Sequence, residues 1–158
     1  MSVEIESVQP PDADRVRHLL TTLSADSALG FSEEALRHYW AVWTVEAIRQ
    51  RAVDPRQVLM TARVNGQLAG LLLGTSPEGG VATIIWVLVA DEYRRQGVGG
   101  RMFMEACHRY RLLGCHKIKL TAPTLQAVAF YEKQGMKREG FHPDHWWRKE
   151  FWSMGMTL

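Results

Sequence analysis

Residues 82–89 read ATIIWVLV, eight consecutive positions without a charge, and residues 91–103 read DEYRRQGVGGRMF. A run this apolar needs cover on both faces, which a central strand between layers of helices obtains. The segment after it is rich in glycine, flanked by arginine, and then apolar at helical spacing. Val98, Met102, Ala106, Tyr110 and Leu113 recur along one face as far as Gly114, a natural helix stop. A buried strand running through a glycine loop into a helix restricts the chain to α/β architectures. It also places a loop at the carboxyl end of a strand, where such sheets receive ligands.

The remaining periodicities fill in that frame. Val3, Ile5 and Val8 predict a short first strand closed by Pro10-Pro11, and Asp12 caps a helix over 13–24. Ser32 opens a second helix running to about Ala52, with Leu36, Tyr39, Trp40, Trp43, Ala47 and Ile48 on its apolar side. Residues 58–64 and 68–73 are strands joined by the Asn65-Gly66 turn, and Gly79-Gly80 leads into the apolar run. A strand at 117–121, a short helix at 125–134, and strands around 137–141 and 151–157 complete the chain. The order β-α-α-β-β-β-α-β-α-β-β gives antiparallel hairpins early and, through the strand-helix-strand crossover, one parallel pair.

Composition narrows the function classes. With 158 residues, 46% apolar and 23% charged, one domain over 1–158 can bury a core of its own. A formal net charge of +2 supplies no global field for nucleic acid or an anionic membrane. The arginines of the loop lack the stacking surface and broad basic face that nucleic-acid binding uses. No apolar run reaches the ~18 residues of a membrane span. The two cysteines lack C-x-x-C spacing, and Glu4, Glu6, Asp12 and Asp14 stand where a signal peptide would be apolar. A cytoplasmic protein is expected. His142-Pro143-Asp144-His145 resembles a metal cluster, but its proline and missing third ligand predict a polar turn, so no metal is expected.

The loop itself has the makings of an anion site. A helix start offers free N–H groups and the positive end of its dipole, glycine admits a close ligand, and arginine suits phosphate. A P-loop would need a lysine after its last glycine, and the dinucleotide fingerprint fails at Met102. What fits is R-x-x-G-x-G over Arg94-Arg95-Gln96-Gly97-Val98-Gly99. With its Asp91-Glu92-Tyr93 lead-in, this segment resembles the acyl-CoA pyrophosphate loop of the GNAT N-acetyltransferase superfamily. About thirty residues downstream, Ala127-Val128-Ala129-Phe130-Tyr131-Glu132-Lys133-Gln134-Gly135-Met136 is similar to that family's A-x-x-F-Y-E-K-x-G-F helix. The order of elements is similar from Val3 to the C-terminus.

The resemblance implies the acyl-CoA N-acyltransferase (GNAT) fold: one α/β domain with a mixed, mostly antiparallel sheet, a parallel pair at the cofactor cleft, and about four flanking helices. It implies acetyl-CoA as cosubstrate, its pyrophosphate held by backbone amides of Arg95, Gln96, Gly97, Val98, Gly99, Gly100 and Arg101. Arg94, Arg95 and Arg101 would add charge, and Ala127 would flank the cofactor. The main chain of Val87, Leu88 and Val89 would pair with the pantetheine arm, and the Val87 amide would face the thioester oxygen. Tyr131 matches the family's general acid. Two positions depart from the pattern: Thr124 replaces an asparagine that contacts the cofactor, and Thr83 replaces a glutamate that some members use as base. Glu33, Glu34, Glu46 and Asp144 could reach the amine only through water chains, so the base is unassigned.

In this family the first helices and the last hairpin build the acceptor site, which makes Tyr39, Trp40 and Trp146 the candidate substrate residues. Trp43 is expected in the core. If Trp146-Trp147 lies in a strand, one of the two must be exposed, at an acceptor pocket or a subunit contact. The expected activity is acetyl transfer to a primary amine by direct attack in a ternary complex, with a small-molecule amine favoured over a protein amine. An acyl-CoA binding or sensing module of the same fold, with little turnover, is the alternative. The family's habits also imply a homodimer through the last strands, with Trp147 and Trp152 at the contact.

Overall fold

The computed structural model describes residues 2–158. Its elements are β1 (Val3–Ser7), α1 (Ala13–Ser24), α2 (Glu33–Val42), α3 (Val45–Ala52), β2 (Val58–Val64) and β3 (Gln67–Gly74). They continue with β4 (Val81–Val89), α4 (Val98–Leu112), β5 (Lys117–Ala122), α5 (Leu125–Lys133), β6 (Lys137–His142) and β7 (Phe151–Thr157). The strands form a single sheet in the order β1-β2-β3-β4-β5-β7-β6. Neighbours run antiparallel except β4 and β5, which α4 connects by a crossover and which are parallel. The apolar run is thus the central strand, as its composition requires.

One expected helix is two. Trp43 turns out of helical geometry (φ −91°, ψ 62°), and the Thr44 side chain accepts the Ala47 N–H at 3.1 Å to start α3. A threonine cap ends one amphipathic run and begins another, so five helices flank the sheet instead of about four. Trp43, at 4% exposure, still anchors the core as expected.

The helices cover opposite faces of the sheet. Met102, Phe103 and Tyr110 of α4 pack with Ile118 and Val128 on one side, while Leu20, Ile48, Leu71 and Leu73 pack on the side of α1 and α3. Strand β4 serves both layers because of a bulge. Leu73 lies opposite Trp86 and Gly74 opposite Ile84, which leaves Ile85 without a partner. The extra residue reverses the alternation, so Ala82 and Ile84 join the α4 layer, whereas Trp86 and Leu88 join the α1 layer. At the same place β4 leaves β5. The two pair only over Val81–Thr83 with Lys117–Lys119 and then diverge, and the sheet splits.

Candidate active site

A cavity of about 530 Å³ occupies that split. Ala127 and Tyr131 of α5 line it on one face of the sheet, and Phe31, Tyr39 and Trp86 on the other. The cavity therefore passes through the sheet, with Thr83 of β4 and Thr121 of β5 on its strand walls.

The glycine loop ends at a helix start with no side-chain cap. Ser32, Thr44 and Thr124 each cap the helix that follows them, but α4 begins at Gly97 with none. Among the described residues, the N–H groups of residues 95–100 have no hydrogen-bond acceptor. Arg95 (φ 61°) and Gly97 (φ 81°) turn the chain in left-handed geometry, the conformation from which successive amides converge on an anion. The glycines divide the work: open space beside one is compatible with close approach of a ligand, and another serves packing within the protein. A Cβ on Gly97 would meet nothing within 4 Å, so its backbone angle is what asks for glycine. A Cβ on Gly99 would lie 3.2 Å from Phe130, so that glycine lets α4 approach α5.

The arginines also divide. Arg95 and Arg101 are exposed and make no ion pair among the described residues, so both are free for an anion. Arg94 is engaged within the protein: Nη2 donates to Asp26 at 2.7 Å and Nε donates to the Val89 carbonyl at 3.1 Å. Arg94 therefore ties the loop and the end of β4 to the α1–α2 connection, which carries Phe31. The Ala28 N–H first, and Arg94 beside it, hold the Asp26 carboxyl below its usual value. Replacing Arg94 by lysine keeps the charge but loses the fork. We expect the melting midpoint to fall by about 2–4 °C, as a loss of about 1 kcal/mol gives in a chain of this size. A depressed carboxylate contributes fully above its ordinary value of 3.8 and is lost as pH falls through the lower folded value. The gap between the two melting midpoints should therefore narrow in acid to the part owed to the Nε–Val89 bond, and a constant gap down to pH ~2 would remove Asp26 from the account.

The sequence profile of the acetyltransferase (GNAT) family matches residues 20–136, well over half of the chain. The chain belongs to the GNAT acetyltransferase family. No curated protein matches it in sequence. Among solved structures, the PaiA N-acetyltransferase of Thermoplasma acidophilum in complex with coenzyme A is similar at 19% identity, with 100% of each chain covered and a TM-score of 0.84. The ribosomal-protein-S18-alanine N-acetyltransferase of Escherichia coli is similar at 18% identity over 99% of this chain and 94% of that one, with a TM-score of 0.76. An aminoglycoside 6'-acetyltransferase of type Ii follows at 19% identity over 98% and 96%, with a TM-score of 0.74. At these identities the likeness shows the fold alone: a GNAT domain with one parallel strand pair.

Within this GNAT domain the other expected site residues fall into two groups. Tyr131 is buried at 8% exposure on the cavity wall, in edge contact with Phe130 (5.0 Å between centroids), and its hydroxyl has no partner among the described residues. Burial pushes its phenol well above the ordinary value, so it stays protonated at neutral pH. Val87 and Leu88 line the cavity along the unpaired edge of β4, but the Val89 carbonyl is already held by Arg94. Ala127 lines the cavity as well. Thr124 caps α5, its Oγ1 accepting the Ala127 N–H at 3.0 Å, which leaves its O–H as the group able to donate to a cofactor. Tyr39 and Trp146 line the cavity; Trp40 does not. Trp40 turns toward α1, where its indole donates to Ser24 Oγ at 3.0 Å.

The tryptophan pair does not lie in a strand. Trp146 and Trp147 sit in a short turn between β6 and β7, and both line the cavity, so strand alternation has no hold on them. Trp147 is left-handed (φ 52°), a conformation that costs about 1–3 kcal/mol for a bulky residue and is characteristic of functional sites. The geometry sets its ring 5.0 Å from Tyr39 and 5.2 Å from His38, joining the last hairpin to α2 over the cavity. Trp152 is 8% exposed and packs on Phe141.

Sequence reasoning missed Phe31, His38 and Trp86. Trp86 is the residue whose indole N–H is buried without a partner, and its ring meets Tyr39 at 5.2 Å. A tryptophan inside an otherwise aliphatic strand was the available signal. None of the carboxylates considered as bases lines the cavity: Glu46 pairs with Arg49 at 2.6 Å and Asp144 lies 3.6 Å from Arg148. His142 engages Ser153 at 2.7 Å and stacks on His145, and no cluster of three or more metal-ligating side chains occurs among the described residues.

Proposed function

We propose that the protein transfers an acetyl group from acetyl-CoA to a primary amine, by direct attack within a ternary complex. The observation that carries this reading is the split between β4 and β5. Its cavity has Tyr131 on the wall, and the uncapped start of α4 follows directly from β4. The unpartnered N–H groups of residues 95–100, with Arg95 and Arg101, fit a pyrophosphate. The unpaired edge of β4 at Val87 and Leu88 fits an extended amide-bearing arm. Acetyl-CoA, when bound, would supply the activated thioester.

The chain's own residues then have distinct tasks. The Val87 amide donates to the thioester oxygen, where negative charge builds as nitrogen attacks the carbonyl carbon. As the carbon–sulfur bond breaks, the sulfur takes a proton from the Tyr131 hydroxyl, the nitrogen gives up its second proton to solvent, and solvent restores the hydroxyl. The amine must lose its proton to attack. Among the residues lining the cavity His38 is the sole imidazole, and no carboxylate is present. His38 is therefore our choice to receive that proton at the cavity mouth, a task suited to imidazole as a class. His38→Gln should lower kcat/KM by about 10-fold or more with little change in acetyl-CoA affinity. An unchanged kcat/KM would remove His38 from the mechanism. A cytoplasmic setting and pairing of two copies through β6 and β7 belong to the same proposal.

The test is thiol release from acetyl-CoA with a panel of primary amines. Amine-dependent release supports transfer. Saturable acetyl-CoA binding with no release for any amine would leave the sensing module as the better account.

A further inference from the structure

The acceptor half of the cavity is walled by Phe31, Tyr39, Trp86, Trp146, Trp147 and Phe151. Tyr39 contacts Phe31 at 5.4 Å, Trp86 at 5.2 Å and Trp147 at 5.0 Å between centroids, and Trp146 contacts Phe151 at 5.2 Å. No aspartate, glutamate, lysine or arginine lines the cavity anywhere. We infer that the acceptor is a monoamine with an aromatic or aliphatic body, and not a polyamine, an aminoglycoside or a polar peptide. This inference rests on the acetyl-transfer reading.

The argument is one of desolvation. An ammonium group brought into an uncharged site loses its hydration, and without a carboxylate beside it the cost is not returned. A polyamine or aminoglycoside carries several such groups and finds no carboxylate for any of them. A monoamine carries one, and that one must become neutral in order to attack. The same walls favour its neutral form, because burial lowers the pKa of an amine. Ring faces attract the cation on its way in and then pack against the apolar body of the neutral amine. The missing carboxylate base and the aromatic lining are therefore two parts of one arrangement: the cavity lowers the basicity of the amine, and His38 has less to do. A peptide would bring backbone groups that need hydrogen-bond partners, and ring walls offer few.

The experiment measures kcat/KM for thiol release with 2-phenylethylamine, hexylamine, spermidine, kanamycin and a lysine-containing peptide. The two monoamines should exceed the other three by about 10-fold or more, the scale on which apolar pockets discriminate. Ile85→Glu supplies a second arm. Ile85 lines the cavity, is 37% exposed and has no partner in the sheet, so the substitution is compatible with folding. It should lower the phenylethylamine value and raise the spermidine value, with folding checked by the melting midpoint. Higher values for spermidine, kanamycin or the peptide overturn the inference and leave acetyl transfer standing. Acetyl-CoA binding without release for any amine overturns both.

Discussion

Gly97→Asp should weaken acetyl-CoA binding by on the order of 100-fold, about 2.7 kcal/mol, while the melting midpoint stays almost where it was. Two effects act together at this position. A carboxylate there would stand beside a bound pyrophosphate, and like charges about 4 Å apart at a protein surface repel by a few kcal/mol. It would also cap α4 itself, taking the amides that the ligand needs. Stability is little affected because a side chain at Gly97 meets open space. The left-handed angle costs about 1 kcal/mol, and a negative charge at a helix start returns a similar amount. Gly97→Asn is the control, since asparagine tolerates the same angle and can cap the helix without charge. Titration calorimetry on both variants separates the terms. If the aspartate variant binds as tightly as the asparagine one, the loop is not an anion site.

Tyr131→Phe has the second large effect. Turnover should fall by about 100-fold, the usual worth of a positioned acid, while acetyl-CoA affinity changes by no more than about twofold. The ring remains packed against Phe103 and Phe130, so the substitution removes only the hydroxyl. Because burial raises the phenol above its ordinary value of 10.0, the wild-type hydroxyl keeps its proton well into alkaline solution. The rate should accordingly show no alkaline decline from this group below pH ~10. Equal turnover in the two proteins would assign Tyr131 to packing.

The parts of the fold legible in the sequence are those written in contiguous residues. An uncharged strand, a glycine loop and an amphipathic helix identify themselves by local pattern, and so does the helix containing Phe130 and Tyr131. What could not be read depends on contacts between distant segments. Arg94 looks like its neighbours Arg95 and Arg101 until Asp26, far upstream, comes to meet it. Tyr39 and Trp40 are adjacent on one helix, and the sequence does not say which of them faces the cavity; the packing of α2 against α1 decides, and turns Trp40 toward Ser24. Trp146 and Trp147 look like strand residues because the left-handed turn that carries them uses no glycine. The cap at Thr44 was visible in principle. It was masked by apolar residues that continue at helical spacing on both sides of it.

The unpaired Ile85 has a consequence for how this chain can vary. A strand has two-residue periodicity, so one surplus residue taken up as a bulge breaks the odd-even pattern of the sequence while the residues after it keep their pairing with β3. Trp86 lies in the acceptor layer and Val87 in the opposite one. Substitutions at Ile85 act locally. Deleting it would close the bulge, leave Trp86 and Leu88 on the α1 side opposite Leu73 and Leu71, and remove the irregularity at which β4 parts from β5. Length at this point therefore bears on where the two strands separate, and hardly at all on which side chains face which layer.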